Sequence, residues 1–287
     1  MHIGNLRRLV AVLTFAAPGL VGCSTTHHEN RLDPLRQLTV AAVSCESRTR
    51  DVPGNLARIE AWARRATAAG ADLVLFPETA ISGWWASREI RAYAEPLDGP
   101  SVRRLTDLAR ELSVIICVGM TEGDGDRAFI TQAIVDGHGV LGAHRKIELA
   151  PGEEKHWDPG NDANVFDIRG LRVGIAICYE SVHPNICAKL RANGAEVILA
   201  PYANGTDPDE LTTGRRPYTY ARAKENGVWY VACDAPAHDE NRRLRRGAAY
   251  VINPAGELVA LTSPEATGEN MVVHTIRIPP PTSSPAR

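Results

Sequence analysis

Several things are scarce in this chain of 287 residues, and each scarcity closes off a class of function. Charge of one sign is missing: 32 basic and 34 acidic side chains leave a formal charge of −2. No basic run exceeds the paired Arg242-Arg243 and Arg245-Arg246. A solvated loop accounts for those pairs, and nucleic acid is excluded as a main partner. Long apolar runs are also missing. The apolar stretch over residues 9–21 falls short of the about 20 residues that an ordinary spanning helix needs. No Cys-x-x-Cys pair or clustered Cys/His spacing occurs among the six cysteines and nine histidines, so the ligand pattern of a zinc site is absent. No tandem repeat of short period occurs, which excludes a solenoid. What remains, 44% hydrophobic and 23% charged residues, is the composition of a globular protein with a sizeable core, in one large domain or two small ones.

The N-terminus reads as a targeting segment. Arg7-Arg8 precede the apolar run, which ends in Leu20-Val21-Gly22-Cys23 followed by Ser24-Thr25-Thr26. Basic, apolar and small-residue regions in that order form a secretory signal. The ending resembles a bacterial lipobox, which implies a signal peptide over residues 1–22 and lipid on Cys23. It further implies a polar tether over 23–37 that includes His27-His28, and export to a bacterial membrane surface without a spanning helix. Ser24 carries no acidic retention signal, so the outer membrane is the expected site where a cell has one. With Cys23 lipidated, Cys45, Cys117, Cys178, Cys187 and Cys233 remain. That odd number leaves at least one thiol unpaired within the chain. Cys45, Cys117 and Cys233 sit in or beside apolar runs and read as buried thiols.

The folded domain is expected over residues 38–278, with a Pro- and Ser-rich tail over 279–287 that is disordered or a dimer arm. Apolar runs predict strands over 39–43, 71–76, 114–119, 130–135 and 140–141, the last following a hairpin turn at Asp136-Gly137-His138-Gly139. Helices are predicted over 55–69, where Leu56, Ile59, Trp62 and Ala63 recur at helical spacing before Gly70, and over 102–112. The second half predicts strands over 171–177, 197–200, 228–233, 248–252, 258–260 and 272–278, with helices over 185–192 and 218–225. Alternating strands and helices that give way to hairpins indicate mixed sheets with helices outside, an α/β layered fold.

Three predicted strand ends carry reactive groups. Phe76-Pro77-Glu78 ends one buried strand, and burial raises a carboxylate pKa toward that of a general base working near neutrality. His144-Arg145-Lys146 follows another, with an ammonium that can stabilise a developing negative charge. Ile175-Ala176-Ile177-Cys178 ends a third. A thiol there, before a turn into a helix, meets outward-pointing backbone N–H groups. Taken singly, each has a plain structural reading: a capping or ion-paired glutamate, a solvated lysine and a buried cysteine. Trp84, Trp85, Trp157 and Tyr202 are candidate walls of a pocket, although core or dimer packing is the favoured reading of each.

The three segments together resemble the nitrilase, or carbon–nitrogen hydrolase, superfamily over most of residues 38–278. The resemblance rests on Gly70-Ala71-Asp72-Leu73-Val74-Leu75-Phe76-Pro77-Glu78, on Arg145-Lys146-Ile147-Glu148-Leu149 and on Gly174-Ile175-Ala176-Ile177-Cys178-Tyr179-Glu180. It is supported by Ala221-Arg222-Ala223-Lys224-Glu225-Asn226 and by the Asn-Pro-x-Gly hairpin that ends in Gly256. It implies a four-layer αββα sandwich that pairs into a homodimer or larger homo-oligomer. It implies Glu78 as base, Lys146 as oxyanion stabiliser with the backbone N–H of Tyr179, and Cys178 as nucleophile. Glu154 matches the family's second glutamate best, with Glu153 an adjacent rival. The expected reaction cleaves a small linear amide through a thioester, without metal or organic cofactor. Ser181-Val182-His183-Pro184-Asn185 departs from the family's usual ending after the nucleophile, and Thr131 and Asp234 stand where asparagine is frequent. N-carbamoyl amino acid hydrolases typically carry arginine just after the nucleophile, where this chain has Ser181 and Val182. Tyr179 in place of tryptophan favours an amidase over a true nitrilase. Two rival readings share the same features: acyl transfer of the thioester to an amine, and a non-catalytic substrate-binding lipoprotein. An intact trio of acid, amine and thiol counts against the second.

Overall fold

The computed structural model of the chain describes residues 36–238, 244–263 and 268–280. The signal segment, Cys23, most of the tether and the tail from residue 281 lie outside the described residues. Fourteen strands and five helices are described: β1 (Arg36–Ser44), α1 (Val52–Ala68), β2 (Leu73–Leu75), α2 (Pro100–Leu112), β3 (Ile115–Asp124), β4 (Arg127–Asp136), β5 (Gly139–Arg145), β6 (Val165–Ile168), β7 (Leu171–Ile175), α3 (Pro184–Ala192), β8 (Val197–Tyr202), α4 (Pro208–Thr212), α5 (Pro217–Asn226), β9 (Trp229–Asp234), β10 (Ala237–His238), β11 (Leu244–Arg245), β12 (Ala249–Ile252), β13 (Leu258–Leu261) and β14 (Asn270–Ile278). Short 3-10 turns cover Arg88–Tyr93, Glu153–Lys155 and Cys178–Ser181.

Two six-stranded sheets carry the same design. One runs β14-β1-β2-β3-β4-β5 and the other β6-β7-β8-β9-β12-β13. In each, three central strands are parallel, β1-β2-β3 and β7-β8-β9, and antiparallel partners flank them. Residue alternation builds the layers. On β1, Leu38, Val40 and Ala42 enter a core shared with Val173, Ile175, Leu199 and Val231 of the other sheet. Ala41 and Val43 face the opposite way and pack with Leu56, Ile59 and Trp62 of α1 and Leu105 of α2. On the second sheet, Ile198 and Ala200 pack outward against Ile186 and Leu190 of α3 and Ala223 of α5. The period of two along each strand therefore supplies two apolar faces, and the result is the expected αββα sandwich.

Most predicted elements are present with shifted ends. α1 starts earlier than its apolar spacing implies, because Asp51 caps it by accepting from Gly54 N at 3.0 Å and Pro53 suits the first turn. β2 is shorter than the predicted 71–76. Phe76 N still donates to Cys117 O at 2.8 Å, but Pro77 has no N–H to continue a ladder. β6 had no sequence signal. Its four residues, Val-Phe-Asp-Ile, are too few to show a period.

Candidate active site

The C-terminal ends of β2, β5 and β7 gather the chemistry, at the end of the sheets where α/β folds commonly bind ligands. After β2 the chain turns sharply at Pro77-Glu78-Thr79, with Thr79 at φ 50°. This turn crosses close over β3. A Cβ on Gly119 would lie 2.4 Å from Pro77 O and 2.3 Å from Thr79 N, so glycine is the residue that admits it. Glu78 N donates to Tyr202 O at 3.3 Å, which ties this turn to the end of β8 in the other sheet. Lys146 follows β5, its backbone N–H donating to Ile130 O at 2.8 Å. Cys178 follows β7 and opens a 3-10 turn with φ 47°. That is left-handed backbone, which a non-glycine residue adopts at a cost of order 1–3 kcal/mol when its surroundings hold it there.

Glu180 is the device that holds the lysine and cysteine segments in register. Fully buried, its carboxylate accepts from Ile147 N at 2.7 Å and Ile177 N at 2.6 Å, and it lies 2.9 Å from His144 Nε2. One side chain thus fixes the residues flanking both Lys146 and Cys178.

The three groups converge. Lys146 Nζ, with no solvent exposure, donates to Glu78 Oε1 at 2.7 Å. Cys178 and Glu78 line the same cavity, and the Glu78 charge acts on the thiol. Glu153 completes the cluster, its two carboxylate oxygens 3.0 and 2.8 Å from Lys146 Nζ. It is held in place by Ala150 N at 2.7 Å and Trp84 Nε1 at 3.1 Å. Here the structure corrects the sequence assignment: Glu153, not Glu154, stands beside Lys146. Neighbouring residues of a 3-10 turn point about a third of a turn apart, so only one of the two can face inward. Glu154 is exposed and accepts instead from Gly152 N at 2.6 Å. Substituting each glutamate separates their contributions. Glu153→Gln should lower amide turnover at least about tenfold, because a charge-assisted hydrogen bond to a buried ammonium is weakened. Glu154→Gln should leave both rate and stability within about 0.5 kcal/mol of wild type. Parallel steady-state kinetics and thermal melts read both.

Burial sets the ionisation of the cluster. Desolvation pushes the Glu78 carboxyl up to about 7, reinforced by the Glu153 charge and opposed by Lys146. Desolvation acts to lower Lys146, but the charges of Glu78, Cys178 and Glu153 outweigh it and hold the ammonium above its ordinary range. Desolvation, then the Glu78 charge, raises the Cys178 thiol well above its usual value. The resting site at neutral pH therefore holds a thiol, not a preformed thiolate. A proton acceptor of pKa about 7, Glu78, lines the same cavity.

A cavity of about 390 Å³ opens onto this cluster. Trp84 and Tyr202, for which packing was the favoured reading, line it with Tyr179, Val182, Asn204 and Tyr218. Trp157 is buried and stacks behind Trp84, ring centroids 6.3 Å apart, and Trp85 packs under the Arg50 guanidinium at 3.8 Å. Both serve packing. The sequence reading gave no part to Asn204, whose Nδ2 lies 3.7 Å from Cys178 Sγ, or to the loop that carries it. Asp234, at the end of β9, accepts from the backbone N–H groups of Asn204, Gly205 and Thr206 at 2.9, 3.0 and 2.7 Å. Their placement at the ends of β8 and β9 was the available signal, since β8 pairs with β7 and β9 with β8.

A family model for carbon–nitrogen hydrolases matches residues 39–283. An (R)-stereoselective amidase from Pseudomonas sp is 30% identical over 195 residues, covering 68% of this chain and 70% of that protein. Omega-amidase NIT2 of Bos taurus is 30% identical over 248 residues, covering 81% and 84%. Among solved structures, an amidase from Nesterenkonia sp. aligns with a TM-score of 0.72 at 25% identity, covering 84% of this chain and 90% of its own. Nit3 of Saccharomyces cerevisiae, a member of branch 10 of the nitrilase superfamily, aligns at 0.74 with 24% identity and the same coverage.

Proposed function

The chain belongs to the carbon–nitrogen hydrolase family of the nitrilase superfamily, and on that premise we propose that it is an amidase that cleaves a small linear amide through a thioester on Cys178. The observation that carries this reading is the buried Glu78 carboxylate, which accepts at 2.7 Å from Lys146 and shares with Cys178 the lining of one cavity open to a ligand.

The steps follow from the geometry. Ionised Glu78 takes the thiol proton as Cys178 Sγ attacks the amide carbon, forming the carbon–sulfur bond. The carbonyl oxygen gains negative charge. The Lys146 ammonium and the Tyr179 N–H, at the start of a helical turn where such groups have no intrahelical partner, stabilise it. Glu78 then passes its proton to the nitrogen, the carbon–nitrogen bond breaks, and ammonia or an amine leaves a thioester behind. In the second half Glu78 takes a proton from water, hydroxide adds to the thioester, and Cys178 departs with that proton as the carboxylic acid is released. Glu153 holds Lys146 in place throughout. An assay of ammonia release across an amide panel, with product acid measured in parallel, tests the reading. Acid and ammonia in equal amounts support hydrolysis, and an amide product formed with an added amine would instead mark acyl transfer.

Ionisation of Glu78 has a measurable consequence. The free enzyme is active only with Glu78 deprotonated, so kcat/KM should rise tenfold per pH unit on the acid side and level off above a midpoint at about 7. A profile that is flat from about pH 5 to 9 would contradict a buried carboxylate base.

A lipid on Cys23, export and a homodimer belong to the same proposal. Incorporation of labelled palmitate into wild type but not Cys23→Ser in a bacterial host tests the anchor, and the solution mass of a chain lacking the first 22 residues tests the dimer.

A further inference from the structure

The groups that face the cavity say what acyl chain it accepts. Three of its four aromatic walls, Tyr179 being the fourth, have their polar heads bonded to protein groups. Tyr202 Oη shares a 2.6 Å hydrogen bond with Tyr230 Oη, Tyr218 Oη accepts from Arg216 Nη1 at 2.9 Å, and Trp84 Nε1 donates to Glu153. These three residues therefore offer a ligand mainly ring surface, with the Tyr218 O–H as the one donor left. Val182, 38% exposed, adds a further apolar wall. The two carboxylates of the lining, Glu78 and Glu153, are both bound to Lys146. Arg216 reaches the lining residues Asn204 and Tyr218, but its charge is paired with Glu210 at 3.1 Å, and its two terminal nitrogens each donate one bond, to Tyr218 at 2.9 Å and Asn204 at 3.3 Å.

Among the described residues, then, no uncommitted cation stands ready to receive a substrate carboxylate, and no uncommitted anion stands ready to receive an ammonium. The local charge disfavours anions further, since two carboxylates face one ammonium. A charged tail would lose its hydration with nothing to replace it, a cost that a methyl-terminated tail avoids.

We propose that the amide substrate carries a neutral, apolar acyl group that lies against Trp84, Val182, Tyr202 and Tyr218, and that amides with a carboxylate or ammonium at the far end are poor substrates. This rests on the amidase reading and names the substrate class for the same site. Three amides of matched chain length test it: hexanamide, adipamic acid and ε-aminocaproamide, with kcat/KM of the wild-type protein measured by ammonia release. Hexanamide should exceed ε-aminocaproamide by about tenfold and adipamic acid by about a hundredfold, because the desolvated like charge is the worse of the two. Val182→Arg, which sets a guanidinium in the wall, should raise adipamic acid relative to hexanamide by about tenfold or more.

The outcomes are distinguishable. Equal rates, or a preference for either charged amide in the wild type, overturn the substrate class and leave the amidase reading standing. A Val182→Arg variant that hydrolyses hexanamide with an unchanged ratio also counts against it, since the tail would then lie elsewhere. No turnover of any of the three, with Cys178 still open to alkylation, overturns the amidase reading and this inference with it.

Discussion

Cys178→Ala should abolish amide hydrolysis, by about 10⁴-fold or more, without loss of the fold. The size of the effect follows from the role: when the nucleophile is removed, only binding and oxyanion contacts remain, and these supply a small part of the acceleration. The fold should survive because Cys178 is only partly buried and alanine tolerates the same backbone. The site's hydrogen-bonded frame does not depend on the sulfur either. Glu180 still bridges Ile147 and Ile177, and Asp234 still holds the loop over residues 204–206. Cys178→Ser should be nearly as inactive. A hydroxyl gives up its proton far less readily than a thiol, and a base of pKa about 7 cannot make up the difference. Far-ultraviolet circular dichroism and a melt beside the kinetic assay separate loss of chemistry from loss of structure. A Cys178→Ala protein with appreciable turnover would remove the thiol from the mechanism.

The second large effect belongs to Lys146, where chemistry and stability coincide. Lys146→Met keeps the approximate length and removes the charge. Glu78 and Glu153 would then face one another in a site without solvent, with no cation between them. Breaking a buried ion pair from one side costs about 3–5 kcal/mol, because the abandoned charge remains buried. The midpoint of chemical denaturation should fall accordingly. Turnover should fall about 10³-fold from the loss of one oxyanion donor. The remaining activity should shift in pH: with the ammonium gone, the force that opposes protonation of Glu78 disappears, so its pKa climbs above about 7 and the acid limb of the rate profile moves to higher pH. A double variant, Lys146→Met with Glu153→Gln, relieves part of the carboxylate repulsion. It should regain stability relative to Lys146→Met alone while remaining inactive. That divergence marks Lys146 as more than a structural tie.

The fold was legible where local pattern and tertiary environment agree. The strands near residues 39–43 and 197–200 are continuous apolar runs because both their faces are covered, one by the other sheet and one by helices, and such runs survive reading without a structure. α1 was legible from Leu56, Ile59 and Trp62. The elements that escaped are those whose order comes from their neighbours. β6 exists because β7 offers it an edge, and α4 is a five-residue helix bounded by Asp207 and Thr213 in a polar stretch.

The site shows the same division. Glu78, Lys146 and Cys178 were readable together, through the order and spacing of three segments that resemble one family, and the structure shows each at a strand end that topology brings to one edge of the sandwich. The choice between Glu153 and Glu154 turns on the rotation of a three-residue turn that begins after Gly152, at φ 97°, and no pattern in Gly152-Glu153-Glu154-Lys155 expresses that rotation. Asn204 was missed, and Asp234 was noted only as a departure from the family pattern, for another reason. Their relation to Cys178 is set by a loop folded around a buried carboxylate, a contact between residues thirty apart along the chain. The ionisation state was also out of reach: a thiol raised well above its ordinary pKa follows from desolvation inside the assembled site, not from its sequence neighbours.

The central claim is that a sulfur, a carboxylate and an ammonium brought to one cavity act on one carbon–nitrogen bond by way of a covalent acyl group. Acid quenching of the wild-type protein during turnover of hexanamide, then proteolysis and mass spectrometry, tests it most directly. The expected result is a hexanoyl mass on the peptide containing Cys178, present in wild type and absent after Cys178→Ala. Steady release of ammonia with no acyl group on Cys178 at any quench time, or with the label on a different residue, would contradict it.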